Sequence, residues 1–216
     1  RDPETLGKIM EGLVLAGVAM SLYGNSRPAS GCEHHMSHYW EMMFEQAGKH
    51  PVPHGTQVGV GTVLVLKLVE HLLKADVDFA AARAAAKQYD PAHWEKEIRM
   101  AYGPAADGVI EMEAKAQKNE TSARLARIDT MEAHWNEIRA LLSELPSSEK
   151  ISGILHTLGS PCTPAEIGVD AQLLKRTFLY CKEVRARYTI LQMVWDLDLL
   201  DQLSDEVIAE LDRNKE

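Results

Sequence analysis

The segment "RPASGCEHHMSHYWE", residues 27–41, concentrates groups that can bind a metal or move a proton. Glu33, His34, His35 and His38 fall within six residues, and His54 follows in "HPVPHGTQVGVGT". On a helix, His34 and His38 lie on one face about one turn apart, so both imidazoles can address one ion. His35 is rotated away by about 100° and should turn outward. His54 comes after a proline-bounded turn that can fold it back toward the first turn of the preceding helix. Spacing alone leaves two readings open: metal ligands, or bystanders in a chain with nine histidines. No carboxylate or thiolate stands out at a fixed offset as a third ligand. Glu33 is read as part of a helix cap, and Cys32 as a small buried residue.

The elements that must position these rings are helices. Asp2 can cap a first helix with Pro3 at its first position, and apolar residues from Leu6 to Val18 follow at helical spacing. The helix should stop near Tyr23 and Gly24. Ser30 and Glu33 match an S-x-x-E capping box, which predicts a second helix over about 31–48. "KHPVPHG" breaks the chain, and a third helix, mostly buried, is predicted over 55–74. Its β-branched content leaves a buried strand as the alternative. Gly55 and Gln57 are expected to serve close packing near His54. Asp90 with Pro91, a long amphipathic stretch over 120–145, a helix over 170–187 and a last one capped by Ser204 bring the expected count to about nine. No strand alternation, repeat or low-complexity linker is evident. The reading is one all-α domain, a multi-helix bundle over residues 1–216.

Composition sets limits on partners. The chain has 216 residues, 45% hydrophobic and 25% charged, with a net charge of −9. That balance, with no basic stripe, argues against nucleic acid as a partner. The longest apolar run, residues 58–69, contains Gly59, Gly61 and Lys67 and is too short and interrupted to span a membrane. No secretory signal pattern is present, and the expected location is cytoplasmic. Cys32, Cys162 and Cys181 are scattered, without a C-x-x-C, as expected for free thiols in a reducing compartment. Beginning at Arg1 directly before a helical pattern, the sequence reads as a segment of something longer. The four tryptophans, Trp40, Trp94, Trp135 and Trp195, are read as core or half-buried residues.

"SRPASGCEHHMSHYWEM" followed by "HGTQVGVGT" resembles the iron-containing alcohol dehydrogenase superfamily, and within it the sn-glycerol-1-phosphate dehydrogenase branch. "VRARYTILQMVWDLDLL", residues 184–200, resembles the same branch. The likeness covers residues 6–62 and 184–200. It implies the C-terminal helical domain of a dehydroquinate synthase-like fold, in which an N-terminal α/β domain, absent from this chain, binds most of the NAD(P). It also implies that His34 and His54 hold a divalent metal (Zn, Ni or Fe), with an aspartate lying upstream as a third ligand. His38 falls beside substrate and nicotinamide, where it could relay a proton or hold the substrate. The implied reaction interconverts dihydroxyacetone phosphate and sn-glycerol 1-phosphate, with Lewis-acid help from the metal. Arg27 is a candidate for the substrate phosphate, since guanidinium matches phosphate geometry, although a loop arginine bound to nearby carbonyls is the simpler reading.

No G-x-G-x-x-G loop occurs in these residues, so the fragment alone is expected to be inactive. The alternatives are a helical metal-binding or interaction domain without chemistry of its own, or a dehydrogenase of an unphosphorylated polyol. A homo-oligomer is compatible with the sequence, and membrane insertion is not expected.

Overall fold

A computed structural model describes residues 2–213, and its contacts divide the chain into two compact units, Arg1–Gly31 and Cys32–Glu216. Among the described residues every regular element is a helix. The strand alternative for the third segment therefore falls away.

The first unit holds α1 (Pro3–Tyr23) and a 3-10 turn at Arg27–Ala29. The Asp2 carboxylate accepts from the Thr5 amide at 2.9 Å, and Pro3 occupies the first turn, where its missing N–H costs nothing. Gly24, at φ 79°, ends the helix in the left-handed region and donates its N–H to the Met20 carbonyl. Leu6, Ile9, Met10, Leu13, Val14 and Val18 are exposed. With a mean hydropathy of 1.4 over its apolar window, α1 is long and apolar enough to cross a membrane, although Gly7, Lys8, Glu11, Gly12 and Gly17 interrupt its apolar residues.

The second unit is a bundle. It runs α2 (Cys32–Gln46), α3 (His54–Lys74), α4 (Phe79–Ala86), α5 (Pro91–Tyr102), α6 (Ala106–Ala116), α7 (Thr121–Ala133), α8 (Trp135–Ser143), α9 (Ser148–Thr157), α10 (Ala171–Tyr180), α11 (Ile190–Asp196) and α12 (Leu200–Arg213). α3 is likewise long and apolar enough to cross a membrane. Here, however, it is a core helix: Val60, Leu64, Leu68 and Leu72 are buried against Met36, Tyr39 and Trp40 of α2 and against Leu203 and Val207 of α12. Two hydrogen bonds pin α2 to the rest. The Tyr39 hydroxyl donates to the Ala101 carbonyl at 3.0 Å, and the Trp40 indole N–H donates to the Thr177 hydroxyl at 2.8 Å. Buried and geometrically sound, such bonds fix the rotation of α2, and with it the direction of His34 and His38. Trp40 is fully buried, while Trp94, Trp135 and Trp195 are half-buried.

Three boundaries differ from the sequence expectation. The 120–145 stretch breaks at His134 into α7 and α8, and the bend sets Trp135 edge-on to Phe79 with ring centroids 5.7 Å apart. The helix expected over 170–187 leaves α geometry at Tyr180. A 3-10 turn there carries Lys182 and Glu183 into the interior, where both pair with each other and Glu183 also pairs with Lys118. Ser204 caps nothing: α12 begins four residues earlier, after Asp198 at φ 61°, and the Ser204 hydroxyl donates back to the Asp201 carbonyl at 2.8 Å. Asp90 and Asp170, by contrast, cap α5 and α10 as read, accepting from Ala92 and Leu173 amides.

Candidate metal centre

α2 opens at Cys32, so Glu33 sits in its first turn, and its carboxylate lies 2.7 Å from Nδ1 of His34. His34, His38 and Glu41 then recur at i, i+4 and i+7 along one face. The chain reverses after Gly48, and α3 starts at His54 itself. Gln57, fully buried, turns its side-chain amide back to donate to the Val52 carbonyl at 2.7 Å, which fixes the entry into α3. Gly55 plays no such part, because a Cβ there would meet nothing within 4 Å. Gly61 is the close approach: a Cβ would come 3.0 Å from the Glu33 carbonyl oxygen.

The result is a cluster of rings. The His34 and His54 centroids are 5.3 Å apart, tilted by 55°. His38 and His54 stack at 5.1 Å and 30°. Glu41 lies between the last two. One carboxylate oxygen is 2.9 Å from Nδ1 of His54, and the other is 3.0 Å from Nδ1 of His38. The buried Ser37 hydroxyl lies 3.0 Å from the same His54 nitrogen. Burial pushes the Glu41 carboxyl up, but hydrogen bonds from His38 and His54 outweigh it and hold it below its ordinary value. With its side chain 43% exposed, His54 leaves the cluster open to solvent on one side.

The structure thus brings His34, His38 and His54 together, and ligand-capable atoms of His38, Glu41 and His54 lie within 4.8 Å of one another. Imidazole nitrogens with one carboxylate are a donor set that suits borderline divalent ions. His35 is corrected. It does not turn outward but points into the core with no exposed surface, and neither ring nitrogen has a hydrogen-bond partner. Burial first, then the Arg187 and Arg185 charges, push its pKa down to about 4, so the ring is neutral. Cys32 is buried, burial raises its thiol to about 12, and it does not belong to the group of ligand-capable atoms that His38, Glu41 and His54 form. Arg27 belongs to the first unit, where its guanidinium donates to the Tyr23 hydroxyl at 3.4 Å. Glu41 and Ser37 escaped the sequence reading, although H-x-x-E from His38 to Glu41 is itself a same-face spacing.

Comparison with known proteins now gives the cluster a context. Several curated proteins that the chain resembles bear the name glycerol-1-phosphate dehydrogenase (NAD(P)+). It is 30% identical over 190 residues to glycerol-1-phosphate dehydrogenase (NAD(P)+) of Geobacillus stearothermophilus, covering 88% of this chain and 38% of that protein. It is 28% identical over 195 residues to the Geobacillus thermodenitrificans protein of that name, covering 89% of this chain and 39% of that protein. A shorter stretch of 67 residues is 43% identical to the one from Pyrococcus furiosus, covering 31% of this chain and 18% of that protein. The chain is therefore a relative of the glycerol-1-phosphate dehydrogenases, as the histidine motifs imply, and it spans about two-fifths of the length of the first two. No family model matches the chain, and no solved structure matches it.

Proposed function

We propose that residues 1–216 form the metal- and substrate-holding helical part of an NAD(P)-linked dehydrogenase that interconverts dihydroxyacetone phosphate and sn-glycerol 1-phosphate. The observation that carries this reading is the meeting of His34, His38 and His54 at one helix–turn–helix, in a chain whose relatives bear that enzyme's name. His34 and His54 would hold a divalent ion (Zn, Ni or Fe), together with a ligand from outside this chain. Such an ion supplies Lewis-acid polarisation of a substrate oxygen when bound.

His38, stacked on His54 and partly open to solvent, would hold the reacting hydroxyl or pass its proton. NAD(P) would be bound mainly by residues outside this chain, and the protein would work in the cytoplasm. A second reading has specific support: His38, Glu41 and His54 alone could hold the ion, as a metal-binding module without chemistry.

Metal analysis and NADH oxidation with dihydroxyacetone phosphate, in a parent protein of the relatives' length, separate the two. His34→Ala and His54→Ala should lose both metal and turnover. His38→Ala should keep the metal and slow the reaction by about 10²–10⁴-fold, the range for removing a positioned proton-transfer group. A His38→Ala protein without metal favours the second reading. A His34→Ala protein with its metal and full rate rules out the first.

A further inference from the structure

We propose that Glu41 is a positioning residue that selects one tautomer for His38 and His54 together, making Nε2 the lone-pair nitrogen of both rings. The argument is one of donors and acceptors. An ionised carboxylate can only accept hydrogen bonds. Its two oxygens lie 2.9 Å from Nδ1 of His54 and 3.0 Å from Nδ1 of His38. Each Nδ1 must therefore carry the proton, and in a neutral ring Nε2 is left as the acceptor or ligand atom. This is the minor tautomer of a neutral histidine side chain in water.

Ser37 cannot make the choice. Its hydroxyl, 3.0 Å from Nδ1 of His54, can donate to that nitrogen as readily as it accepts from it. His34 is outside Glu41's reach; its Nδ1 faces Glu33. A carboxylate behind a ligating imidazole fixes ring orientation and raises ligand basicity. Glu41 does this for two rings at once, linking the nitrogen offered to a metal with the one offered to a substrate. That assignment of uses rests on the function proposed above, whereas the tautomer selection rests only on the contacts.

The test is a two-bond proton–nitrogen correlation spectrum of the ¹⁵N-histidine-labelled 216-residue chain. It is recorded with chelator present at about pH 8.5, above the ordinary imidazole range. Single histidine-to-glutamine variants assign the signals. Both His38 and His54 should show the Nδ1–H pattern. In Glu41→Gln one oxygen can still accept but the amide nitrogen can only donate, so one ring should keep Nδ1–H and the other should convert to Nε2–H. Glu41→Ala should release both, with His34 unchanged as the internal control.

In parallel, Co(II) titration should show binding weakened about 10–100-fold in both Glu41 variants. Wild-type rings in the Nε2–H form, or Nδ1–H retained by both rings in Glu41→Gln, would overturn the proposal. So would loss of Co(II) binding in Glu41→Ala with the tautomers unmoved, which would make Glu41 a direct ligand. Expected tautomers together with full Co(II) affinity in His34→Ala and His54→Ala would uphold Glu41's role and sink the metal assignment instead.

Discussion

Gly61 of α3 lies against the backbone of Glu33 in α2: a Cβ on Gly61 would sit 3.0 Å from the Glu33 carbonyl oxygen and 3.3 Å from its Cα. The contact is one residue from His34 and seven from His54, so it sets how closely the two ring-bearing helices approach. Since the obstacle is backbone, it cannot rotate aside.

Gly61→Ala should therefore destabilise the chain by about 1–3 kcal/mol, overpacking outweighing the gain in helix propensity of roughly 1 kcal/mol. It should also weaken Co(II) binding by spreading α2 from α3. Gly59→Ala is the control. Its nearest neighbour is the flexible end of Leu155 at 3.3 Å, which can give way, so this change should be neutral or slightly stabilising. Urea denaturation of both variants checks the pair, and equal losses would contradict the argument.

His35→Leu should stabilise the second unit by about 1–3 kcal/mol, because it replaces two buried ring nitrogens that lack partners with apolar atoms of similar volume. Co(II) affinity should stay within about twofold, since the ring faces away from the cluster. A destabilised variant on thermal melting would show that the ring has partners of its own.

Glu183 gives the acid limb of the stability profile. It is buried between Lys182 and Lys118 and accepts from the Asn119 amide at 2.9 Å. Burial pushes its carboxyl up, but the two ammonium groups prevail and bring it to about 2, from an ordinary 4.5. Between those values the unfolded chain binds more protons than the folded one, so stability rises with pH there. The contribution is complete above about pH 4.5 and lost as pH falls through 2. Glu183→Gln should flatten this limb and cost about 3–5 kcal/mol at neutral pH, because the buried ammonium groups lose their counter-charge. Denaturant midpoints from pH 2 to 7 decide it; an unchanged slope would count against Glu183 as the source.

The 216-residue chain by itself should not oxidise NADH with dihydroxyacetone phosphate, with or without added Zn, Ni or Fe. No glycine-rich phosphate cradle occurs in its sequence, and hydride transfer needs the nicotinamide placed against the substrate. A stopped-flow or plate assay with concentrated protein is sufficient, and measurable turnover would refute the expectation.

Local chemistry was legible in the sequence. Asp2, Asp90 and Asp170 announce helix starts because a carboxylate before a helical pattern has one obvious use, and His34 and His38 announce a shared face because the helical period is fixed. Tertiary choices were not legible. Ser204 looks like a cap until Leu200 and Leu203 are seen to be buried, which draws the helix start forward. His35 looks like a surface residue until the core is seen to enclose it. Glu41 resembles any charged residue on an exposed turn, and only the return of His54 gives its second oxygen a partner.

His34, His38, Glu41 and His54 all belong to two consecutive helices joined by residues 47–53. Closing so short a loop costs little chain entropy, and contacts near in sequence form soonest. The order of events during synthesis follows from this. The two helices can approach while everything beyond α3 is still unmade; the bonds to Ala101 and Thr177 then fix the direction of the rings, before Leu203 and Val207 of α12 arrive to complete the core around α3. Among the helices of the second unit, this chemistry-bearing pair is the one that can close earliest on contacts near in sequence.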